Sequence, residues 1–435
     1  MKIVEMRVHS IAIADPPLRS SYGLHQPYAL RTILELVSDD KLVGLAETHG
    51  SEAIAKGFEA LKPRVVGQDP FKVAGLLIDL VEGEVQGSSL DRSQTFHVPG
   101  ENPLDMKQRL YSAIEIAALD LCGRALKKPV CDLLGGRVRD EVAFSAYPFY
   151  KHAGGGGEGA DARPDEYGEA LSPESLVKQV KRMVSLNGFK DIKFKTGVLD
   201  PEIEIETVRR LHIAFPGLPI RMDPNCAWSV ETSVKVGKAL QKELGNGGYL
   251  EDPTAGMDGM AAVRRKLLEA GIDTPLGSNV AVVCFADLAE AVEKKAVQVV
   301  LSDVHYWGGL RATQHLGKLC KTFGLGLSMH SNSHLGLSVM TMAHAAAVTP
   351  HLTYACDTHY PWSDAKDEVV AGGKVKFVNG CVKITDKPGL GVDLDYDQLA
   401  RGRERFATCP YRKRDDTAEM RKHVDPNWTR ILPRW

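Results

Sequence analysis

The chain has 435 residues, and its 54 basic and 56 acidic side chains give a formal net charge of −2. This length exceeds that of one compact core and favours two domains or one large barrel with additions. The balanced charge, with no long basic stripe, argues against nucleic acid and against an anionic membrane as partners.

The N-terminal residues predict a strand at the beginning of the chain. Val4, Met6 and Val8 alternate with polar residues, which is the period of a strand and not the pattern of a signal peptide. A second alternating stretch, residues 31–47, is interrupted by the turn-forming pair Asp39-Asp40 and predicts a hairpin. We therefore expect the chain to begin with a small antiparallel sheet.

A helix and a break follow this sheet. Apolar residues recur at helical spacing over residues 110–121. The sequence Leu133-Leu134-Gly135-Gly136 then predicts the end of the helical region. The chain up to residue 135 is therefore predicted to have mixed α+β structure.

From about residue 140 onward, short apolar runs alternate with longer amphipathic stretches. One amphipathic stretch begins at Ser172-Pro173, a capping serine followed by a proline that suits the first helical position. Strands that alternate with helices indicate βαβ units and a parallel sheet. The apolar runs are residues 142–147, 192–194, 220–222, 249–250, 297–301, 326–329 and 352–355.

A polar residue ends each apolar run at nearly constant spacing, which is about the length of one strand, one helix and two loops. From Lys195 the successive gaps are 28, 28, 28, 24, 27 and 27 residues. Such residues occupy equivalent places at the carboxyl ends of parallel strands, where (β/α)-barrels carry their active sites. The positions are Lys193 and Lys195, Asp223, Glu251, Asn279, Asp303, His330 and Asp357.

Three of these positions offer oxygen ligands on adjacent predicted strands. Asp223, Glu251 and Asn279 form a set without sulfur or imidazole. Hard oxygen ligands of this kind suit Mg²⁺, which keeps open positions for substrate oxygens. The spacing therefore predicts a magnesium site.

Lys193 and Lys195 are two residues apart on one predicted strand, so both side chains point to the same face. The flanking Ile192 and Phe194 face the other way, as in a barrel wall. Two ammonium groups held close together disfavour each other's charge. We therefore expect both lysines to face the barrel interior, with a lysine pKa lowered towards neutral pH.

His330 and Asp303 end neighbouring predicted strands, and a carboxylate that holds an imidazole makes a competent general base. An alternative is that His330 gathers with His305, His334 and His359 around a transition metal. That alternative is less favoured, because no His-x-His pair ends an early strand, as a metal-dependent hydrolase barrel would require.

These residues resemble the enolase superfamily, and within it the glucarate dehydratase-like branch, over nearly the whole chain. The first region contributes SAIEIAALD from Ser112 to Asp120, and the tail contributes Arg414-Asp415-Asp416 and Pro426-x-Trp428. The barrel motifs are Lys193-Phe194-Lys195, Asp223-Pro224-Asn225, Glu251-Asp252-Pro253, Asn279, Ser302-Asp303, His330-Ser331-Asn332 and Asp357-Thr358-His359.

The resemblance implies an α/β fold, a modified (β/α)₇β TIM-like barrel with an α+β capping domain. We expect residues 1–135 to form the cap, 136–385 the barrel and 386–435 a segment that returns to the cap. The implied cofactor is Mg²⁺, which binds a substrate carboxylate while a base removes the neighbouring proton and the enediolate is stabilised electrostatically.

The resemblance also implies roles for single residues. Lys195 and His330 would be bases on the two faces of the substrate, with Lys193 tuning Lys195 and Asp303 orienting His330. Asn225 and Asn332 would help to hold the enediolate, and His330 would protonate the departing β-hydroxyl to give a 3-deoxy-2-keto acid. The substrate-binding candidates are His25, Thr95, Tyr147, Tyr150, His359 and Arg414.

Three departures from the branch concern the substrate and leave the metal and base residues untouched. They are residues 28–30, Cys226 and residues 280–283. Glucarate is therefore one option among four- to six-carbon acid sugars. An acid-sugar racemase or epimerase, a Schiff-base aldolase, a metal-dependent hydrolase and a non-catalytic binding protein stay open as alternatives.

The sequence also predicts a compartment and the kind of partner. Eight cysteines are scattered without a C-x-x-C pair, which favours a reducing compartment, and we expect the cytoplasm. No apolar run approaches the ~18 residues of a membrane span. We expect a small acid sugar as the partner, with neither nucleic acid nor membrane, and assembly into a homo-oligomer is left open.

Overall fold

The computed structural model describes residues 1–76 and 103–435. The N-terminal sheet is antiparallel, with Tyr28–Ser38 between Ile3–Ala14 and Val43–His49. The predicted alternation of the first strand is wrong at its start. The register shifts between Ile3 and Glu5, which leaves Val4 52% exposed while Met6 is buried. A β-bulge of this kind turns one side chain away from the face that its neighbours share.

One face of this sheet packs against helices Glu52–Val65 and Pro103–Leu126. The second helix approaches closely at Gly44, where an added Cβ would lie 2.1 Å from the carbonyl oxygen of Ala117. The predicted hairpin forms, and its turn places Lys41 at φ 63°. Short strands Arg19–Ser20 and Gly23–Leu24 pair with each other in the loop between the first two long strands.

Six parallel strands form the second sheet and pair in chain order. They are Ile192–Lys195, Ile220–Asp223, Leu250–Glu251, Leu276–Ser278, Val299–Ser302 and Gly326–Met329. Single bridges extend the sheet, because Ala146 pairs with Ile192 and Phe144 pairs with Cys356. The Asp357 backbone N–H donates to Met329 O at 2.8 Å, which connects the segment that pairs with Phe144 to the last strand of the sheet. The result is a closed, TIM-like barrel.

The apolar run at residues 142–147 belongs to two sheets, which corrects its prediction as one strand. Its start lies in Glu141–Ala143, which pairs antiparallel with Cys381–Lys383 below the barrel. Asn379 and Gly380 form a turn with positive φ at both residues, and the strand after it pairs with Glu141–Ala143. Only the part from Phe144 onward joins the barrel.

Helices connect the barrel strands, and local signals define their ends. The Ser172 side chain accepts from Ser175 N, Pro173 occupies the first turn, and Gly188 ends the helix at φ 70°. The helices are Pro173–Asn187, Pro201–Ala214, Val230–Ala239, Gln241–Leu244, Gly256–Glu269, Phe285–Lys294, Gly309–Phe323 and Gly336–Ala347, and Val130–Leu133 precedes the barrel.

The C-terminal helices return to the N-terminal region. Tyr396–Thr408 lies along the first strand, where Arg405 Nε donates to Ala12 O at 2.9 Å. Asp416–His423 places Met420 against Leu24 in a small apolar cluster. These contacts agree with a tail that returns to the cap, while the boundaries at residues 135 and 385 stay predictions.

Two further observations concern membranes and thiols. Within residues 1–76 and 103–435, none of the helices has the length and apolar character needed to cross a bilayer. Each of the eight cysteines carries a free thiol.

His344 should make the stability of the fold depend on pH. It is buried between Cys131 N and Leu390 O, and burial lowers its pKa to about 4. Below about pH 6.5, the ordinary pKa of a histidine, His344 is protonated in the unfolded chain but stays neutral in the native state, so stability falls as pH falls. Relative to His344→Phe, the wild type should lose up to about 3 kcal/mol of unfolding free energy between pH 6.5 and 4.

Urea unfolding of both proteins at several pH values measures this difference. His315→Gln, which removes an exposed imidazole, serves as the control. A difference between wild type and His344→Phe that stays constant across the range would contradict the expectation.

Candidate active site

A cavity of about 1270 Å³, counted to its open mouth, lies between the carboxyl ends of the barrel strands and the loop that connects the first two N-terminal strands. The barrel contributes Lys195, Asn279 and His330 to its wall. The N-terminal region contributes His25 and His49. The position agrees with the general rule for active sites in barrels of this type.

The three predicted metal ligands end adjacent strands. Asp223 and Glu251 are fully buried, and the amide of Asn279 lies 3.1 Å from Glu251 Oε1. The Oε2 atom of Glu251 is buried and has no hydrogen-bond partner within the described part of the chain. Burial and the neighbouring Asp223 raise the pKa of Glu251 well above its usual range.

A buried carboxylate oxygen without a partner is costly unless a cation neutralises it. The carboxylates of Asp223 and Glu251 and the amide of Asn279 together fit Mg²⁺, which prefers oxygen ligands. Within the described ranges, no group of three His, Cys, Asp or Glu side chains could hold a metal ion. The side-chain oxygen of Asn279 would be the third oxygen ligand of a magnesium ion held by Asp223 and Glu251 at these strand ends.

Lys195 lies beside this set and faces the cavity. Its Nζ is 2.7 Å from Asp223 Oδ2 and 3.4 Å from the hydroxyl oxygen of Tyr147. The Tyr147 hydroxyl donates to the same carboxylate oxygen at 3.0 Å. Although burial would raise the pKa of Asp223, the charges of Lys195 and Lys193 lower it, so this carboxylate stays ionised.

The expected lowering of a lysine pKa is wrong for Lys193. Its Nζ lies 2.6 Å from both Glu251 Oε1 and Asp357 Oδ2, and 3.3 Å from Asp223 Oδ2. Burial by itself would lower the pKa of Lys193, but the carboxylates of Asp357 and Glu251 outweigh burial and raise it well above its usual value. The neighbouring carboxylates therefore determine the pKa of Lys193 more strongly than repulsion by Lys195 does.

Sequence reasoning missed Arg221, which continues this ionic chain into the barrel. Its Nη1 lies 3.1 Å from Asp357 Oδ1, and its Nε donates to Asp191 Oδ1 at 2.9 Å. The signal was available, because Arg221 is two residues before Asp223 on one strand and must share its face. The same rule had identified the two lysines.

His330 is held by Asp303 as predicted in the sequence, with Nδ1 2.9 Å from Asp303 Oδ2. A second imidazole, His305, lies 2.7 Å from the other oxygen of this carboxylate. Burial would raise the pKa of Asp303, but His305 and His330 lower it below its ordinary value. The Nε2 atom of His330 is left facing the Asn279 amide at 3.1 Å, on the cavity side.

The disfavoured alternative, four histidines gathered around a transition metal, does not match the contacts of these residues. His330 and His305 share Asp303, His334 Nε2 lies 3.0 Å from Thr358 Oγ1, and His359 Nδ1 lies 3.2 Å from Ser331 Oγ. Each ring is thus bound to a carboxylate or hydroxyl group.

The structure brings most of the other predicted site residues to the cavity wall. They are Asn225, Asn332, His25, Tyr147, His359 and Arg414. Asn225 takes φ 43°, and its backbone N–H donates to Asp223 Oδ1 at 3.2 Å. His25 Nδ1 lies 3.0 Å from Asp15 Oδ2, and Arg414 Nε donates to Asp416 Oδ1 at 2.7 Å.

Two substrate-binding predictions fall elsewhere. Tyr150 is buried behind the barrel wall, where its hydroxyl is 3.0 Å from Thr207 Oγ1 and its ring packs on Phe194. Its proposed contact with substrate is therefore corrected, and Tyr147 is the tyrosine of this segment that lines the cavity. Thr95 lies outside the described residues.

Comparison with known proteins identifies a matching family and relatives that are similar over the whole chain. Residues 175–398 match the family described as Enolase C-terminal domain-like. A protein of Streptomyces coelicolor named "Probable glucarate dehydratase" is 44% identical over 443 aligned residues, which cover 100% of this chain and 99% of that protein. Arabinonate dehydratase of Saccharolobus solfataricus is 27% identical and covers 65% of this chain and 69% of its own length.

A solved structure is similar over the same extent. An enolase from Pseudomonas fluorescens Pf0-1, crystallised with bound magnesium, potassium and tartrate, superposes with a TM-score of 0.91 at 45% identity. The match covers 100% of this chain and 99% of that one.

Proposed function

Because this chain belongs to the enolase superfamily, we propose that it is a Mg²⁺-dependent hydro-lyase that dehydrates an acid sugar to a 3-deoxy-2-keto acid. One observation supports this proposal above the others. Lys195 and the Asp303-bound His330 line one cavity, and the oxygen ligands Asp223, Glu251 and Asn279 lie at the same strand ends. A proton acceptor, a proton donor and a cation site are thus available to one small substrate.

The proton transfers belong to residues of the cavity wall. The proton next to the substrate carboxylate is removed by Lys195 or by His330, depending on which face of the substrate carries it. His330 Nε2 then delivers a proton to the β-hydroxyl, which leaves as water. Bound Mg²⁺ supplies fixed positive charge beside the carboxylate as negative charge develops there. Asn225 and Asn332 line the same cavity, and their side-chain amides would help to hold the enediolate.

The carboxylate of Asp303 keeps His330 in place throughout this sequence. It holds Nδ1 at 2.9 Å, so the other ring nitrogen stays directed at the cavity. Because His305 and His330 lower the pKa of Asp303, this carboxylate stays ionised and can accept from Nδ1 of His330 while Nε2 faces the substrate.

The relatives narrow the substrate class. The Streptomyces relative carries the name of a glucarate dehydratase, and the Saccharolobus relative carries that of an arabinonate dehydratase. Tartrate, which the Pseudomonas enolase binds, is itself a small dihydroxy diacid. We propose glucarate as the first substrate to test among four- to six-carbon acid sugars, with the free thiols supporting a cytoplasmic setting.

The decisive experiment is a screen of the purified protein with Mg²⁺ against mono- and diacid sugars, with semicarbazide detection of the 2-keto acid. Release of a 2-keto acid from at least one acid sugar is expected. If the folded, metal-loaded protein releases none, dehydration of an acid sugar is contradicted.

Epimerisation is the second candidate, because two bases on one cavity also suffice for removing a proton from one face and returning it to the other. Solvent deuterium incorporated without keto-acid release would favour it. A Schiff-base aldolase is disfavoured, because Lys193 is fully buried among carboxylates and the two relatives named above are dehydratases. Borohydride trapping of substrate on either lysine would reverse that judgement.

Removal of divalent cations is expected to abolish dehydration. The cation held by Asp223 and Glu251 would supply the positive charge that stabilises the substrate carboxylate as the proton beside it is removed. Dialysis against EDTA followed by assay measures the loss, and added Mg²⁺ should restore the rate. Mg²⁺ should also raise the melting temperature of the substrate-free protein by mass action, with presaturated Mg-EDTA as the control. Full activity after exhaustive chelation would contradict the ligand assignment.

A further inference from the structure

His305 is a buried residue beside the His330 site, and the proposed proton transfers do not use it. Its side chain is 3% exposed and lies behind the residues that form the cavity wall. A substrate in the cavity therefore does not touch this ring. Any effect of His305 on the reaction must pass through a residue that does touch the substrate.

The contacts of His305 lead to the carboxylate that holds His330. Asp303 Oδ1 lies 2.7 Å from His305 Nδ1 and accepts from the His305 backbone N–H at 2.8 Å. Asp303 Oδ2 lies 2.9 Å from His330 Nδ1. Although burial would raise the pKa of Asp303, the two imidazoles lower it, so the ionised carboxylate only accepts. The Nδ1 atoms of both rings must therefore carry the hydrogens of these bonds.

The other nitrogen of the His305 ring is held by a different segment. Nε2 lies 2.9 Å from the hydroxyl oxygen of Ser338, in the first turn of helix Gly336–Ala347. A hydroxyl group both donates and accepts, so this contact holds the ring whether or not Nε2 carries a hydrogen. The ring is thus bonded at both nitrogens and cannot turn without breaking one of these bonds.

The N-terminal sheet supports Ser338 in turn. The Glu47 carboxylate accepts from the Ser338 backbone N–H at 2.9 Å, and Arg31 Nε donates to the same carboxylate at 2.8 Å. All of these side chains are buried. A hydrogen-bonded chain therefore runs from the N-terminal sheet through His305 to Asp303.

This chain determines how the Asp303 carboxylate is turned. The bond from His305 to Oδ1 opposes rotation of the carboxylate about its Cβ–Cγ bond, and a held Oδ1 leaves Oδ2 facing His330. Reacting groups must be held within about 0.5 Å and 10–20° of the productive geometry by side chains that are themselves fixed. A carboxylate free to rotate would not direct the other nitrogen of His330 to that precision.

We propose that His305 is a positioning residue for dehydration, which fixes the Asp303 carboxylate and thereby the direction of His330. This assignment rests on the proposed function. The contact that acts on the reaction is the one between His305 Nδ1 and Asp303, and the contact with Ser338 keeps the ring in place for it.

The test compares two amides at this position. His305→Asn places an amide N–H near the position of Nδ1, whereas His305→Gln places its amide near Nε2 and removes the side-chain donor to Asp303. The matched control is His344→Gln, because His344 is also buried and bonded at both nitrogens but lies away from the cavity. The assay uses D-glucarate with Mg²⁺, or the acid sugar that the wild type dehydrates fastest in the screen.

His305→Gln should lower kcat about 10- to 100-fold, the value of one hydrogen bond to a charged group, while KM stays within about threefold. His305→Asn should recover most of the loss in kcat. The control should melt at a lower temperature than the wild type and keep its kcat.

Deuterium exchange provides a readout that a merely structural role would not give. Lys195 is held by Asp223 and Tyr147, so it keeps its position when His305 is changed. An acid sugar with its α-proton on the Lys195 side should therefore exchange at the wild-type rate in His305→Gln while its dehydration is slow. In the double variant with His330→Gln, dehydration should be no slower than in His330→Gln by itself, because His305 acts through His330.

An unchanged kcat for His305→Gln, with an active wild type, overturns the assignment and leaves the dehydratase function standing. Equal losses in the two amide variants, additive losses in the double variant, or loss of exchange together with dehydration would show a structural role and would overturn it too. A wild type that dehydrates no acid sugar removes the proposed function, and the assignment falls with it.

Discussion

His330→Gln should lower the rate of dehydration by about 10²–10⁴-fold, the usual contribution of a positioned acid or base. The β-hydroxyl is a poor leaving group without a proton, and the Nε2 of His330 is the imidazole nitrogen that Asp303 directs into the cavity. The substitution should not unfold the protein, because His330 lies at the cavity surface and glutamine can still bond to Asp303. Steady-state kinetics on the best acid sugar of the screen measure the loss.

A second measurement on His330→Gln separates proton removal from elimination. Lys195 is on the cavity wall and is not altered, so a substrate with its α-proton on that side should still exchange deuterium with solvent. In Lys195→Met, deuterium exchange should be lost for that substrate and kept for a substrate whose α-proton lies on the His330 side. Dehydration at the wild-type rate in His330→Gln would show that the acid has been assigned to the wrong residue.

Glu251→Gln should abolish activity and weaken Mg²⁺ binding by more than the 10–100-fold that loss of an outer-shell partner costs. Burial and Asp223 disfavour the charged form of Glu251, and a nearby cation offsets that cost. A neutral glutamine carries no buried negative charge, so the cost of burying that charge disappears together with the attraction for Mg²⁺. We therefore expect a folded protein without a functional metal site.

Calorimetric titration with Mg²⁺ and thermal melting test this expectation together. Glu204→Gln is the matched control, since Glu204 is an equally buried carboxylate that accepts from the backbone N–H groups of residues 197–199. It should lower the melting temperature and leave the Mg²⁺ affinity unchanged. Wild-type Mg²⁺ affinity in Glu251→Gln would remove Glu251 from the ligand set.

Much of the site was predictable because it depends on repeats that are local in sequence. The spacing of 24 to 28 residues between polar strand ends identified Asp223, Glu251 and Asn279 as neighbours. A parallel barrel brings equivalent positions of successive strands to one edge, so spacing by itself specifies the assembly. The two-residue period of a strand likewise predicted that Lys193 and Lys195 share a face.

The remaining features required the tertiary structure, because they depend on groups far apart in sequence or on backbone without a regular period. Lys193 owes its raised pKa partly to Asp357, 164 residues away, and no local pattern predicts the sum of such charges. Tyr147 and Tyr150 could not be separated, because residues 144–149 join the barrel through single bridges and lack a strand's alternation.

The sequence by itself thus determined the barrel, the neighbouring positions of Asp223, Glu251 and Asn279 at the strand ends, and the pairing of Asp303 with His330, since each follows from position along regular strands. Only the tertiary structure decided the protonation of Lys193, the second imidazole on Asp303 and the place of His49 in the cavity. The charge of Lys193 depends on carboxylates from other barrel strands, and the place of His49 depends on how the N-terminal sheet meets the barrel, because Coulomb forces and packing act between segments far apart in the chain. His305 is only two residues from Asp303, but the irregular backbone after the strand sets where its ring lies.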